Sequence, residues 1–267
     1  MRALTVLWIT LFTTCPARLT GQAGAAASEI RIGDSLRAAL QPAQALAHYR
    51  AALASDSTDY EALWKAGREL IDIAKQIEGT DDASKHARDS LYTAARAEGE
   101  AAVRVRPHGA DGHFIVGQAL GRLSRTKGGK ERVRFARLIY DEGMKAIALD
   151  STLDGAYHLV GAWHAEVKRL SWFQRKAAAL LFGGGFLSMG NWADAQRYLE
   201  RAVALKPQDI FHHLELAEIY VDVGKYSLAR DQLRAIHDLP IADVLDHEYK
   251  TRAATLLDDI KNKKDET

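Results

Sequence analysis

Ten histidines are the residues of this chain best suited to metal or proton chemistry. Their spacing argues against a metal site. His212 and His213 are adjacent, so a helix turns them to different faces. His158 and His164 are six apart, not the three or four that bring side chains together on a helix. No H-E-x-x-H occurs. TKGGKE (126–131) has some of the composition of a phosphate loop. Its spacing is wrong, no Ser or Thr follows the lysine, and the apolar pattern before it is helical. It reads as a turn. No G-x-S-x-G or G-x-G-x-x-G is present, and no nucleophile sits beside a base. Carboxylate neighbours such as Asp258-Asp259 fall in a polar terminal stretch, where water satisfies them. The expectation is no catalytic residue, no metal and no cofactor.

Charge points to a partner instead. The whole chain balances 36 basic against 35 acidic side chains, which gives no global argument for nucleic acid or a polyanionic surface. One segment departs from that balance. Arg122, Arg125, Lys127, Lys130, Arg132, Arg134 and Arg137 lie together with Glu131 as the only acid among them. The plain reading is a solvated basic face. The sharper one is a site for an acidic partner, either a peptide tail or a phospholipid headgroup. No aromatic ladder interleaves with these cations, so nucleic acid is not expected.

These residues must be positioned by helices. The chain has only five prolines, abundant Ala, Leu, Arg and Glu, and no alternating β-branched run. It also repeats itself. Ala195 and Ala229 are 34 apart, as are Leu199 and Leu233, Ala202 and Ile236, and the triplets starting at Gly190 and Gly224. That is the tetratricopeptide period. A small residue, a large one four later and a small one three after that let two helices approach closely. Ala45, Tyr49 and Ala52 share the frame, as do Ala95, Gly99 and Ala102. A first-helix signature recurs at Ala66-Gly67, Val116-Gly117, Val160-Gly161 and Leu216-Ala217. His164 occupies a large core position in that frame, so a packed and hydrogen-bonded histidine is expected there.

The fold class that follows is an all-α solenoid of five helical hairpins, at 28–58, 59–107, 110–150, 153–207 and 210–237. A capping helix over about 242–262 ends the domain, and 263–267 reads as a solvated tail. Two pairs are too long. The second contains 75–90, read as a helix extension and a polar loop. The fourth contains RLSWFQRKAAALLFGGG (169–185). Its apolar positions cover much of a helix circumference, and three glycines then let the chain reverse. It reads as an extra helix wedged inside the fourth pair. Either it fills core, or Trp172, Phe173, Arg175, Lys176 and Phe182 serve a greasy ligand pocket, a partner or a membrane.

ALWKAGREL (62–70), LDGAYHLVGAWHAEVKRLSWFQRKAAALLFGG (153–184) and DAQRYLERAVALKP (194–207) resemble the regulator of microtubule dynamics family. The resemblance covers residues 60–240. Its insert carries an aromatic pair, a basic pair and an Ala/Leu run ending in Leu-Phe-Gly. The family loop that follows is usually proline-rich, whereas here it is GGFLSMGN. The resemblance implies a non-enzymatic scaffold that takes a protein or extended peptide on its concave face. Carried over in the same frame, the groove falls on Trp64, Lys65 and Arg68, then Phe114, Gln118 and Arg122, then His158, Ala162 and Glu166, then Leu214 and Glu218. A small apolar or lipidic ligand beside 171–182 is the alternative occupant.

The N-terminus has its own character. Arg2, the uncharged apolar run 3–15 and the small residues of GQAGAAAS (21–28) make the three-part shape of a secretory signal, with cleavage after Ala27. The expectation is a signal peptide at 1–27, a helical domain at 28–262 and a periplasmic or secreted protein. An uncleaved N-terminal membrane anchor is the alternative. Cys15 is the only cysteine, so a cleaved chain has neither disulfide nor thiol chemistry.

Overall fold

The computed structural model describes residues 17–266, and every regular element among them is helical. The N-terminal segment 1–16, which carries most of the proposed signal, lies outside the described residues. Helix α1 (Ala17–Ala38) runs through Ala27 and packs on α2 (Pro42–Ser55). Three more hairpins follow: α3 (Tyr60–Lys75) with α4 (Asp82–Val105), α5 (Ala110–Leu123) with α6 (Gly129–Leu149), and α7 (Asp154–Arg169) with α9 (Trp192–Leu205). The fifth is α10 (Ile210–Asp222) with α11 (Tyr226–Ile236). Helix α8 (Trp172–Phe182) interrupts the fourth pair, and α12 (Asp246–Asp259) ends the array. The segment 126–131 is the expected turn, since α6 starts only at Gly129. In the second pair the extra length belongs to α4, whose N-cap Asp81 accepts from the Ser84 amide at 2.9 Å.

The repeat positions explain the stacking. Ala45, Ala52, Ala66, Ala95, Ala102, Ala195, Ala202, Ala217 and Ala229 have no exposed surface, and Tyr49 and Leu199 fill the gaps beside them. Gly161 shows why small residues are needed: a Cβ there would stand 1.9 Å from Leu199 Cδ2. The turns also repeat. Asp56 accepts from the Thr58 amide and hydroxyl at 2.9 and 2.7 Å, and Asp150 does the same for Thr152 at 2.8 and 2.7 Å.

The array closes on itself. The connection between α11 and α12 crosses back to the first two hairpins. There the Lys75 ammonium lies 3.1 Å from Asp243 and 2.7 Å from Asp72. Arg37 adds a 2.6 Å contact to Asp72. The tail is exposed as expected, but it is tied down. Asp265 accepts from the Ser227 amide at 2.7 Å, and the Tyr226 hydroxyl donates to Glu266 at 3.1 Å.

Candidate functional site

Closure turns the concave groove into a chamber of about 680 Å³. The first helix of each pair lines it, as the repeat geometry requires. Helix α3 supplies Trp64 and Arg68, α5 supplies Phe114, Gln118 and Arg122, and α7 supplies His158, Ala162 and Glu166. Helix α10 adds Phe211, His212 and Glu215, and Tyr249 of α12 completes the wall. Tyr249 stacks on Phe211 with ring centroids 4.6 Å apart, and the His158 ring lies at the same distance from Phe211.

Three of the expected groove residues are elsewhere. Lys65 is buried, with its ammonium 2.9 Å from Asp34 and 3.1 Å from Glu61. Glu218 accepts from Arg252 at 2.7 Å and joins α10 to α12. Leu214 has no exposed surface and belongs to the core. Lys65 stands one position, about 100° of helix turn, from Trp64, so it leaves the face on which Trp64 and Arg68 line the chamber.

The inserted helix is the larger correction. Trp172 and Phe173 are 65% and 74% exposed, and they neither fill core nor line the chamber. Ala178 is the only buried residue of α8. Gln174, Ala177, Ala178 and Phe182 reach the chamber, so one flank of α8 is its wall. Phe182 also packs on Gly129 at the start of α6, where a Cβ would lie 2.9 Å from its ring. Arg175 holds the helix in place by donating to the carbonyls of Val167, Lys168 and Leu170 at the end of α7. Lys176 lies over the Trp172 ring at 5.7 Å.

The basic cluster divides. Lys127 pairs with Asp89 at 3.2 Å, Arg134 with Glu131 at 3.4 Å and Arg137 with Asp141 at 2.8 Å. Lys130 is exposed. Arg122, Arg125 and Arg132 line the chamber, and none of them has a carboxylate partner among the described residues. An apolar wall of Val133, Ile139, Trp163, Val167 and Phe182 lines the same space.

Opposite stands a buried polar network that histidine spacing did not reveal, because its members come from two hairpins. His212 Nε2 is 2.8 Å from Asp154 Oδ2, so that nitrogen carries the proton. His158 Nδ1 lies 2.9 Å from His212 Nδ1, so one proton is shared between the two rings. His158 Nε2 is left facing Glu215 at 3.6 Å. Burial, and then the neighbouring His212, pushes the His158 pKa well below 6.5. Burial, and then the Glu218 carboxylate, raises Glu215 to about 7. Burial alone would raise Asp209 too, but His212 and Lys206 outweigh it and hold that carboxyl at about 2.

Asp154, Asp209 and His212 place three ligand atoms within 4.8 Å of one another. Those donor types suit a metal, but their bonds are already made. The Lys206 ammonium is 2.9 Å from Asp209, and both His212 nitrogens are engaged. The set is satisfied without an ion. His164 corrects the sequence reading in the other direction. It is buried as expected, yet neither ring nitrogen has a hydrogen-bond partner, and the Met189 backbone approaches without completing one. Aromatic rings hold it: Tyr198 stacks at 5.8 Å and Trp163 meets it edge-on at 5.0 Å. Burial lowers its pKa, so the ring is neutral.

Known proteins share this architecture. A thermophilic TPR protein of Thermus thermophilus superimposes with a TM-score of 0.63 at 20% identity, over 87% of this chain and 99% of that one. Pseudomonas aeruginosa pilF superimposes with a TM-score of 0.51 at 15% identity, over 90% of this chain and 88% of that one. These show the fold. In sequence, regulator of microtubule dynamics protein 1 of Bos taurus is 28% identical over 203 residues, 76% of this chain and 62% of the bovine one. Regulator of microtubule dynamics protein 3 of Xenopus laevis is 26% identical over 197 residues, 74% of this chain and 41% of that one. The chain thus spans less than two thirds of the length of these relatives. The family model for regulator of microtubule dynamics protein 1-3 matches residues 30–261, from the first hairpin to the end of the capping helix, and the chain belongs to that family.

Proposed function

We propose that this protein is a binding scaffold, not a catalyst, and that its chamber holds an acidic, partly apolar segment of a protein partner. One observation carries the reading: three arginines without carboxylate partners stand beside an apolar wall in a single concave space. A ligand carboxylate would meet Arg122, Arg125 and Arg132 through charge-assisted hydrogen bonds while its apolar neighbours cover Val133 and Trp163. The test is a fluorescence titration with acidic-apolar peptides. Exchanging Arg122→Glu together with Arg132→Glu should weaken binding by about tenfold or more and abolish its salt dependence. Unchanged affinity defeats the proposal.

A second reading rests on the size of the space. At about 680 Å³ the half-open chamber is the size of a small-molecule site, and the Lys75–Asp243 contact bridges its rim. A single amphiphile with an anionic head would satisfy the same groups. Native mass spectrometry of the purified chain separates the two readings, since a tightly held amphiphile adds a discrete mass.

The N-terminal pattern supports export. The relatives are named for microtubule dynamics, and an exported chain does not meet microtubules, so the proposal takes over their scaffold alone. N-terminal sequencing of protein drawn from its native cells decides this. A start at Ser28 agrees with export, and a retained Met1 overturns it.

A further inference from the structure

The chamber leaves the outer face of α8 without a role. Six of the nine exposed large hydrophobic side chains among the described residues fall between Trp172 and Met189. Leu180 and Leu181 are 83% and 71% exposed, more than most surface leucines of a folded domain. At 3.6 residues per turn, Trp172, Lys176, Leu180 and Phe173 fall on one side of the helix, about a third of its circumference. Ala178 and Phe182 hold the opposite side against the fold. The base is rigid. Ser171 and Gln174 form a reciprocal capping box, Arg175 clamps the helix to α7, and Gly183 ends it with φ of 70°.

Charge selects the occupant. From Val167 to Ala193 the chain has no acidic residue, and it carries Lys168 and Lys176; Arg169 in the same stretch is paired with Glu166 and Asp222, and Arg175 is engaged by the carbonyls of α7. The contact of Phe182 with Gly129 brings exposed Lys130 of α6 beside the C-terminal end of α8. An acid-free, cation-flanked set of protruding aromatic and leucine side chains is complementary to an anionic interface into which single side chains can sink. Lys176, stacked on Trp172, is placed to extend its amine toward headgroups while both rings enter the acyl boundary. No described helix is long and apolar enough to cross a membrane, so the contact is peripheral.

We propose that the outer face of α8, with Lys168, Lys176 and Lys130, docks this protein on the surface of an anionic lipid bilayer. The proposal does not depend on what fills the chamber. The full chain is sedimented with vesicles of phosphatidylcholine alone and with vesicles containing roughly one third phosphatidylglycerol. Binding to the anionic vesicles should exceed binding to the neutral ones by about tenfold. Phe173→Ser with Leu180→Ser should remove it, and Lys176→Glu should weaken it several-fold. In the wild-type chain, Trp172 emission should shift to the blue on vesicle addition, and Trp172→Phe should abolish that shift. Three results overturn the proposal: no sedimentation, equal sedimentation of wild-type and doubly substituted chains, or a light-scattering mass of two chains that falls to one in the Phe173→Ser, Leu180→Ser variant. The last would assign the face to a second copy.

Discussion

Single residues show how this chain uses its polar groups. His113 and His213 each stand six residues after a proline. Each places a ring nitrogen 3.0 Å from that proline's carbonyl, and each bonds a side chain of the following helix, Glu142 at 2.6 Å and Gln232 at 2.7 Å. They are repeat residues that fasten a turn to its hairpin. Replacing His213 by Ala removes both bonds and leaves a half-buried amide without a partner. Thermal unfolding should show a loss of about 2 kcal/mol. The matching Pro-x5-His spacing was visible in the sequence, but histidines invite a search for ligands, and the carbonyl they serve has no sequence signature. The His158–His212 network was not legible at all, because its geometry depends on how α7 meets α10.

That network also gives a pH prediction with a worked sign. Glu215 has a folded pKa of about 7 against an ordinary 4.5. Between those values the folded state holds the extra proton, so this group's contribution to stability falls as pH rises, by about 3 kcal/mol in all. His158 acts oppositely, because its folded pKa lies well below 6.5. The unfolded state takes its proton first, so this contribution falls as pH drops below 6.5. Other charges facing the pair are Arg125, Glu166, Arg169 and Glu218 around Glu215, and Lys75, Arg122 and Asp209 around His158. The two groups offset each other in the wild type below pH 6.5. Glu215→Gln removes one side, so its stability should rise with pH up to about 6.5 more steeply than the wild type's. Parallel curves for the two proteins in urea titrations would remove the assigned shift.

Elements were legible where packing restricts residue type. Gly161 and Leu199 must touch, so the Gly and the Leu recur in frame and place α7 against α9 before any coordinates are known. Gly161→Ala puts a methyl group into Leu199, and a loss of about 1–3 kcal/mol is expected in denaturant unfolding. The orientation of α8 was hidden for the opposite reason. Apolar residues spread round its circumference say that it is helical and greasy, not which side meets the fold. Small Ala177 and Ala178 decide that, by letting the helix settle on the chamber wall while the bulky residues face outward. Arg175 then becomes the fastening. Arg175→Ala should raise amide exchange throughout 172–182 while the melting temperature of the solenoid barely moves, since its five hairpins do not rest on α8.

At the scale of the molecule, the repeat predicts a solenoid, and in the solenoid found the connection before α12 touches the first hairpins. Nothing periodic connects Lys75 with Asp243, which are 168 residues apart, so the sequence could not announce the contact. Its physics is clear in the structure. Lys75 is buried, and burial would lower its pKa, but Asp72 and then Asp243 reverse that and keep it charged. A buried ammonium needs at least one of those carboxylates, and Asp72 is itself bound by Arg37. Asp243→Ala therefore leaves Lys75 paired with Asp72 and costs modest stability, yet it removes the cross-chain half of the clasp. The connection between α11 and α12 is then free to lift from the first hairpins. The expected outcome is a larger radius of gyration in solution scattering, with circular dichroism and hairpin stability nearly unchanged. Ligand dissociation from the chamber should become faster while association is little affected, because the lining residues stay where they are. An unchanged scattering profile would overturn the role assigned to the Lys75–Asp243 contact.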